Sequence, residues 1–351
     1  MKKLTKILLA ALIGTSLAVP AVDACSRFTY SDDNGSVITA RSMDWQDNIP
    51  GDICVFRRGV VRQNDAKGSS MPEWKVKYGS VGIFNLGSAV SSAMNEKGLV
   101  IDFLWLAESD YGEAKDGETT ISLHQLGQYI VDTCASVDEV ERNFKQIKLR
   151  PVITDDDVIS GAKMTMHLMI TDKSGNNGVI EWIGGDMHFH KQQGRMVMTN
   201  DPGYEKMLAI RDYYREMGVE NSMPGSALSQ ARFVYIDGWL KQIVNEPLPG
   251  YIGGIKDQNL DEQKLYSALS VIRGVSTPLG VAFDTSHPNN TSTIWRTMAD
   301  LKNNKFYYDS ALTPSFFWVD LNKLDFSKEA SIHISDGKIL NGDITELLTH
   351  Q

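Results

Sequence analysis

Residues 18–45 have the sequence AVPAVDACSRFTYSDDNGSVITARSMDW, and this stretch decides the fold. Two alternating segments flank Asp-Asn-Gly at residues 33–35, and an Asn-Gly pair in that position is a strong β-hairpin signal. We therefore predict that the chain enters a hairpin directly after Cys25. The second strand would then bring Arg41 and Asp44 back beside Cys25.

Residues 1–24 have the pattern of a secretory signal peptide. Three lysines precede an apolar run, residues 7–19, which is too short to span a bilayer permanently. Val22 and Ala24 place small residues before a cleavage point. We predict that residues 1–24 are removed and that residues 25–351 form a single domain without stable membrane insertion.

Composition and charge limit the possible partners. The formal net charge of −9 argues against nucleic acid, since phosphate binding requires basic surface. Three cysteines, Cys25, Cys54 and Cys134, remain after export, so at least one is free or pairs between chains. We expect Cys54 and Cys134 to be inert buried thiols.

Blocks of predicted strands and helices alternate along the chain. An almost continuously apolar strand is expected at residues 98–106, and a capping box, Ser136 to Glu139, predicts a helix start. The other predicted segments are strands within 164–200, 292–310 and 314–321, and helices within 121–135, 136–147, 204–217, 226–244 and 261–272. This order favours two antiparallel sheets covered by helices.

Three interpretations of Cys25 are open. A lipid anchor needs small uncharged residues before the cysteine, but Asp23 precedes Ala24, and the chain enters a strand at once. A disulfide is possible in an exported protein, although cross-links at fraying termini are weakly motivated. The third interpretation is that Cys25 becomes a catalytic N-terminal residue.

An N-terminal cysteine carries a nucleophile and a base together. Its thiol has an ordinary pKa of about 8.5 and its α-amine one of about 7.7 to 8.0, so the amine can accept the thiol proton. Arg41 would favour the thiolate and Asp44 would bind the ammonium. The alternative is that both are exposed residues on a strand edge.

Four motifs in order carry a resemblance. Cys25 is followed by Arg41 and by Met-Asp-Trp at residues 43–45, and further matches lie at residues 93–106, 197–208 and 226–236. With these motifs the chain resembles the choloylglycine hydrolase and penicillin V acylase family of N-terminal nucleophile hydrolases. The resemblance implies an α+β fold, a four-layer αββα sandwich, and no cofactor or metal.

The resemblance also assigns roles. Cys25 would be the nucleophile, Arg41 and Asp44 would flank it, Asn200 would donate to the oxyanion, and Arg232 would complete the polar network. Without the family, Asn200 is an ordinary turn residue and Arg232 a solvated helix residue.

The substrate expectation depends on two tryptophans. The resemblance makes the backbone N–H of Trp105 the second oxyanion donor, and the side chains of Trp105 and Trp45 would form an aromatic pocket unless both are core residues. Such walls suit a phenyl or phenoxy ring. We therefore expect a small-molecule amide substrate, with penicillin V first, conjugated bile salts second and N-acyl homoserine lactones third.

The remaining sequence features bear on location, oligomeric state and possible metal sites. The compact segment between Asn200 and Arg232 resembles that of family members from Gram-negative bacteria, which implies a periplasmic location, and the family implies a homotetramer. His188 and His190 lack a third metal ligand, residues 155–157 lack the pattern of a calcium loop, and no G-x-S-x-G motif is present. We expect these residues to be solvated surface.

Overall fold

The structure is a computed structural model that describes residues 25–45, 51–85, 89–155, 157–159, 162–219, 227–247, 259–280, 292–334 and 339–349. The predicted signal peptide, residues 1–24, lies outside the described residues, and so does part of the compact segment before Arg232.

The described strands and helices are numbered in chain order. The strands are β1 (Ser26–Ser31), β2 (Val37–Asp44), β3 (Gly51–Phe56), β4 (Val61–Gln63), β5 (Glu73–Lys75), β6 (Ser80–Asn85), β7 (Ala89–Asn95), β8 (Val100–Trp105), β9 (Thr119–Ser122), β10 (Leu149–Val152), β11 (Val158–Ile159), β12 (Ala162–Lys163), β13 (Met166–Thr171), β14 (Asn176–Ile183), β15 (Asp186–Gln193), β16 (Met196–Thr199), β17 (Thr293–Asp300), β18 (Lys305–Ser310), β19 (Phe316–Asp320), β20 (Ala330–His333) and β21 (Asn341–Asp343). The helices are α1 (Leu123–Thr133), α2 (Val137–Ile147), α3 (Tyr204–Glu216), α4 (Ser229–Leu240) and α5 (Leu260–Gly274), with 3₁₀ turns at Leu321–Lys323 and Thr345–Leu348.

The hairpin predicted after Cys25 is confirmed. Strands β1 and β2 pair antiparallel, with Arg27 directly opposite Arg41. Gly35 has φ +78°, a left-handed conformation that glycine adopts without steric cost. The carboxylate of Asp32 accepts the N–H of Asn34 and closes the turn. The turn therefore returns β2 to the start of β1.

Two sheets contain most of the described strands. Sheet I has the order β16-β1-β2-β17-β18-β19-β21, and sheet II has the order β15-β14-β13-β8-β7-β6-β3-β20. Hydrogen bonds connect the sheets face to face: Arg27 on β1 forms an ion pair of 2.9 Å with Asp102 on β8, and Ser92 on β7 lies 2.9 Å from Thr297 on β17. All four side chains are buried, so the interior near the start of β1 is polar.

Helices cover both outer faces. Helix α1 packs on β7 and β8 and α2 on β10 and β14, whereas α4 packs on β1 and β16 and α5 on β2 and β17. Helix α3 packs against α4. The sequence prediction of a four-layer αββα sandwich is therefore confirmed.

The cap predicted for α2 is present. The Ser136 side chain accepts the N–H of Glu139 at 3.2 Å, and Glu139 accepts the N–H of Ala135 at 2.7 Å. These bonds satisfy donors that a helix start otherwise leaves unpaired.

The strand run in residues 164–200 divides between the two sheets. Strands β13, β14 and β15 belong to sheet II, but β16 crosses to sheet I and pairs with β1. This crossing brings the end of β16 to the start of β1, where Cys25 lies.

Candidate active site

Cys25 lies directly before β1 and is buried, with 4% of its surface exposed. Its thiol contacts the backbone of Asp44 at the end of β2: the Asp44 N–H donates to Sγ at an N···S distance of 3.4 Å, and Sγ donates to the Asp44 carbonyl at 3.6 Å. The hairpin register that pairs Ser26 with Ser42 creates this contact.

The side chain of Asp44 is held by two partners. Its Oδ1 accepts a hydrogen bond of 2.7 Å from the hydroxyl of Thr293, and its Oδ2 forms an ion pair with Nη1 of Arg232. The Arg232 Nη2 atom donates to the hydroxyl of Thr277 at 2.5 Å. Asp44 and Arg232 are both almost fully buried, so the alternative of an exposed Asp44 and a solvated Arg232 is wrong.

Arg41 is a buried cation beside the thiol. Its Nη2 atom donates to the carbonyl of Phe103 at 2.9 Å, and its guanidinium carbon lies 4.6 Å from the centre of the Trp295 ring. Such stacking stabilises a desolvated guanidinium. The alternative of an exposed strand-edge Arg41 is wrong as well, since 1% of the residue is exposed. Among the described residues, its Nε and Nη1 atoms have no hydrogen-bond partner.

Burial and charge act in opposite directions on the thiol. Burial is the largest effect and raises the pKa of Cys25 to about 11, although Arg41, the Asp44 N–H and Arg232 lower it. The Asp44 carboxylate raises it further. At neutral pH this thiol is therefore protonated in the continuous chain, and an attack on an amide requires a base.

Asn200 follows the last residue of β16. That strand pairs with β1 so that Thr199 lies opposite Ser26, which places Asn200 beside Cys25 on the side away from β2. Asn200 is fully buried. The hairpin and this crossing strand thus bring Cys25, Asp44 and Asn200 to one end of sheet I, as a shared site requires.

The two tryptophans meet at the end of the sheets. Trp105 is the last residue of β8 in sheet II, and Trp45 follows β2 in sheet I. Their ring centres lie 5.6 Å apart at an interplanar angle of 47°, a favourable geometry for an aromatic pair. Both are partly buried, and Trp45 also packs against the hydrophobic core.

The sequence reasoning missed three polar residues around the site. Thr277 and Thr293 hold Arg232 and Asp44, and the Thr277 N–H also donates to the Thr293 hydroxyl at 2.9 Å. Asp201, after Asn200, accepts the N–H of Ala107 at 2.8 Å. No local pattern marks a single threonine or aspartate, although position 201 belongs to a motif that the sequence analysis matched.

The structure also describes the histidine pair and most of the aspartate run that the sequence analysis assigned to solvated surface. The His188 and His190 rings stack with centres 6.2 Å apart on β15, and His190 Nε2 lies 3.7 Å from a Glu181 oxygen. Asp156 lies outside the described residues, and Asp155 is exposed as expected. The expectation of solvated surface is wrong for Asp157, which is fully buried and accepts the backbone N–H of His124 at 2.8 Å. In the described part of the chain, no cluster of three metal-ligating side chains occurs.

Cys54 and Cys134 are buried, as the sequence analysis expected. All three cysteines lie in described segments, and each is a free, buried thiol. Burial raises the pKa of Cys54 to about 12 and that of Cys134 to about 11.

Among the helices of the described segments, none is long and apolar enough to cross a membrane.

Fold and site together define a class. Two face-to-face sheets between helical layers, with a cysteine before the first strand, are the architecture of an N-terminal nucleophile hydrolase. A family model described as linear amide C-N hydrolases, choloylglycine hydrolase family, matches residues 25–338, and the chain belongs to this family.

Known relatives include two kinds of amide hydrolase. The chain is 34% identical over 332 residues to a penicillin V acylase from Pectobacterium atrosepticum, covering 91% of this chain and 86% of the relative. It is 26% identical over 204 residues to a bile salt hydrolase/transferase from Bifidobacterium longum, covering 57% of this chain and 61% of the relative.

Solved structures have the same fold. The penicillin V acylase from Agrobacterium tumefaciens superposes with a TM-score of 0.78 at 32% identity, covering 92% of this chain and 96% of that one. A mutant conjugated bile acid hydrolase from Clostridium perfringens superposes with a TM-score of 0.73 at 18% identity, covering 90% and 98%.

Proposed function

We propose that the processed chain, residues 25–351, is a periplasmic amide hydrolase that cleaves the side-chain amide of penicillin V through a thioester. The observation that carries the reaction is the contact of the Cys25 thiol with Asp44, whose carboxylate is paired with Arg232. The observation that carries the substrate is the half-buried pair of Trp45 and Trp105.

Removal of residues 1–24 would create the base. Hydrolysis of the bond between Ala24 and Cys25 converts a peptide nitrogen, which is not basic, into an α-amine with a pKa of about 7.7 to 8.0. Asp44 supplies a fixed negative charge near the new ammonium, and Arg41 supplies a positive charge near the thiolate. The buried thiol thereby gains a proton acceptor on its own residue.

Acylation follows from this arrangement. The α-amine takes the thiol proton, and the thiolate attacks the amide carbonyl carbon. The oxyanion would be bound by the Asn200 side-chain amide and the Trp105 N–H, donors that act on charge developing in the transition state. The ammonium then protonates the leaving nitrogen, the C–N bond breaks, and a thioester forms on Cys25.

Deacylation reverses the proton transfers. A water gives a proton to the α-amine and attacks the thioester, and the departing thiolate of Cys25 recovers a proton from the ammonium. The acid is released and the free residue is restored. All proton transfers use the α-amine of Cys25, so the proposal requires no histidine, metal or cofactor.

The tryptophan pair supports penicillin V as the first substrate. Its phenoxyacetyl group ends in a flat ring, which aromatic walls bind by stacking and edge contacts. Relatives of at least 30% identity carry the name penicillin V acylase, which supports the same choice. Conjugated bile salts are the second candidate because the chain also matches a bile salt hydrolase/transferase. N-acyl homoserine lactones, which also contain a linear amide, are the third.

One hydrolysis panel tests the substrate. The processed protein is incubated with penicillin V, glycocholate and a long-chain N-acyl homoserine lactone, with Cys25→Ala as the control. We expect the highest kcat/KM for penicillin V and none for the control. A preference for glycocholate or the lactone would replace penicillin V with that substrate, and activity in the control would reject the cysteine mechanism.

Intact mass and fractionation test the location. We expect a periplasmic protein that has lost residues 1–24 and gained no mass on Cys25. Added acyl chains on Cys25 would instead support a lipid-anchored binding protein. The proposed homotetramer is tested separately by light scattering on the processed protein.

A further inference from the structure

The two proposed oxyanion donors belong to different sheets. Asn200 follows β16 of sheet I, whereas Trp105 ends β8 of sheet II. Among the described strands, none of sheet I pairs with one of sheet II, and side-chain hydrogen bonds such as that of Arg27 with Asp102 connect the two sheets. An oxyanion hole needs its donors fixed to within a fraction of an ångström, because misplacement by about 1 Å can cost on the order of 100-fold in rate.

The two donor segments are joined by a hydrogen bond between residues close to the donors in the chain. Oδ1 of Asp201, the residue after Asn200, accepts the N–H of Ala107 at 2.8 Å, and Ala107 is two residues after Trp105. The pKa of Asp201 is raised, mainly by burial and also by the Glu108 charge, although the N–H groups of Ala107 and Glu108 and the nearby His167 act to lower it. The hydrogen bond to Ala107 thus fixes the Asp201 carboxyl group against the backbone just after the end of β8.

The far end of the same loop is also fixed to sheet II. The N–H of Gly203 donates to a carboxylate oxygen of Glu108, and the N–H of Tyr204 donates to both oxygens of Glu181 at 3.1 and 3.0 Å. Glu181 in turn contacts Nδ1 of the buried His167 at 2.8 Å. Carboxylates at the first N–H groups of α3 are favourable because those groups have no partner within the helix.

Gly203 lets these carboxylates approach the backbone. A Cβ at this position would lie 3.2 Å from Oε1 of Glu108 and 3.4 Å from Oε2 of Glu181. The loop between β16 and α3 is thus held in three places: by the pairing of β16 with β1, by Asp201, and by the start of α3.

We propose that Asp201 is a positioning residue that sets the separation of the two oxyanion donors, through its bond to the N–H of Ala107. Glu108 and Glu181 bind the N–H groups of Gly203 and Tyr204 at the start of α3, whereas Asp201 is adjacent to Asn200 in the chain. This inference rests on the proposed oxyanion roles of those two residues.

A double-mutant cycle tests the coupling. Asp201→Ala, Asn200→Ala and the double variant are compared on whichever amide the wild type hydrolyses, so the test does not depend on penicillin V. We expect Asp201→Ala to lower kcat by about tenfold or more with little change in KM. The double variant should retain at least about fivefold more kcat than the product of the two single effects predicts.

Asp201→Asn provides the conservative variant. Its side-chain carbonyl can accept the Ala107 N–H in the same way, so kcat should stay within about threefold of wild type. If Asp201→Ala does not fold, Ala107→Pro removes the same bond from the exposed donor side and should show the same coupling with Asn200→Ala.

A matched control separates positioning from general stability. Asp172 is also a buried carboxylate that accepts a backbone N–H, that of Val137 at 2.9 Å, but on the other side of the fold at α2. Asp172→Ala should lower the melting temperature and leave kcat unchanged.

Three outcomes would overturn the inference. An unchanged kcat in Asp201→Ala, or a double variant whose loss equals the product of the single losses, would remove Asp201 from the oxyanion geometry and leave the proposed function intact. An unchanged kcat in Asn200→Ala would reject the oxyanion role itself, and the inference with it.

Discussion

The Sγ atom of Cys25 lies 3.4 Å from the backbone N and 3.6 Å from the carbonyl O of Asp44, across the open end of the hairpin. The backbone of one residue therefore orients the nucleophile, while its carboxylate, paired with Arg232, is directed elsewhere. This separates the group that positions the thiol from the charge proposed to bind the ammonium.

Replacing the thiol should abolish turnover and preserve the fold. In Cys25→Ser the hydroxyl occupies the same position, but its pKa is far too high for an amine base with a pKa of about 8. We expect less than about one thousandth of the wild-type kcat, from an enzyme with the wild-type melting temperature. Retention of more than a few per cent of activity in the processed serine variant would contradict the mechanism.

Processing should change the reactivity of Cys25. A free α-ammonium adds a positive charge next to the thiol and lowers its pKa from the value of about 11 in the continuous chain. Alkylation near pH 7.5 should therefore be at least about tenfold faster than in a form that retains Ala24, and its pH profile should shift to lower pH.

Two internal controls are present in the same protein. Cys54 and Cys134 are buried with pKa values of about 12 and 11, so each should react slowly in both forms. Peptide mass spectrometry reports the three sites separately. Equal alkylation of Cys25 in both forms, or full hydrolytic activity in the form with Ala24, would remove the amine from the mechanism.

The buried ion pair should dominate the stability of the site. Asp44→Ala leaves the Arg232 guanidinium buried without its carboxylate, and breaking a buried pair in this way costs about 3–5 kcal/mol. The double variant Asp44→Ala, Arg232→Met should cost less than the sum of the Asp44→Ala and Arg232→Met losses, because no buried charge is left alone. Urea unfolding measures all four free energies.

An exposed pair supplies the comparison for this cycle. Lys145 and Glu141 form an i,i+4 ion pair on α2, where solvent screens the charges. Lys145→Ala should change the free energy of unfolding by less than about 1 kcal/mol. Additive losses at Asp44 and Arg232 would mean that the two side chains do not stabilise each other.

Removing the proposed side-chain oxyanion donor should affect kcat more than KM. Asn200→Ala leaves substrate contacts in place but deletes an amide that would bind developing negative charge, a loss that typically costs about 100- to 1,000-fold in kcat. Steady-state kinetics on the preferred amide separates the two constants. A change confined to KM would assign Asn200 to substrate binding.

Local signals explain the parts of the fold that could be predicted. The Asn-Gly turn, the Ser136 cap and the almost continuously apolar strand β8 each depend on neighbouring residues, and all three are confirmed. The crossing of β16 from the strands of sheet II to sheet I was not predicted, because periodicity identifies a strand and not its partner.

The same distinction applies to the site. The hairpin predicted that Cys25, Arg41 and Asp44 would meet, since one turn connects them. The roles of Asn200 and Arg232 depended on the family motifs, because β16 and α4 reach Cys25 only through tertiary packing. Thr277 and Thr293 had no motif, because only tertiary packing places the Thr277 hydroxyl, after α5, at Arg232 and the Thr293 hydroxyl, on β17, at Asp44.

The tryptophan pair should determine substrate preference. Trp105→Asn removes one of two rings whose centres are 5.6 Å apart and preserves the backbone N–H that is proposed to bind the oxyanion. An aromatic contact is worth about 0.5–1.5 kcal/mol beyond its area burial, so with the lost burial kcat/KM for penicillin V should fall by about tenfold or more. The rate with glycocholate should fall less than the rate with penicillin V, because its acyl group carries no aromatic ring to pack on Trp105.

Trp45→Phe, which keeps an aromatic wall, is the matched control and should shift the preference much less. The measured quantity is the ratio of kcat/KM for penicillin V to that for glycocholate in wild type and variants. If Trp105→Asn leaves this ratio unchanged, the aromatic pair does not select the substrate, and the choice of penicillin V loses its physical basis.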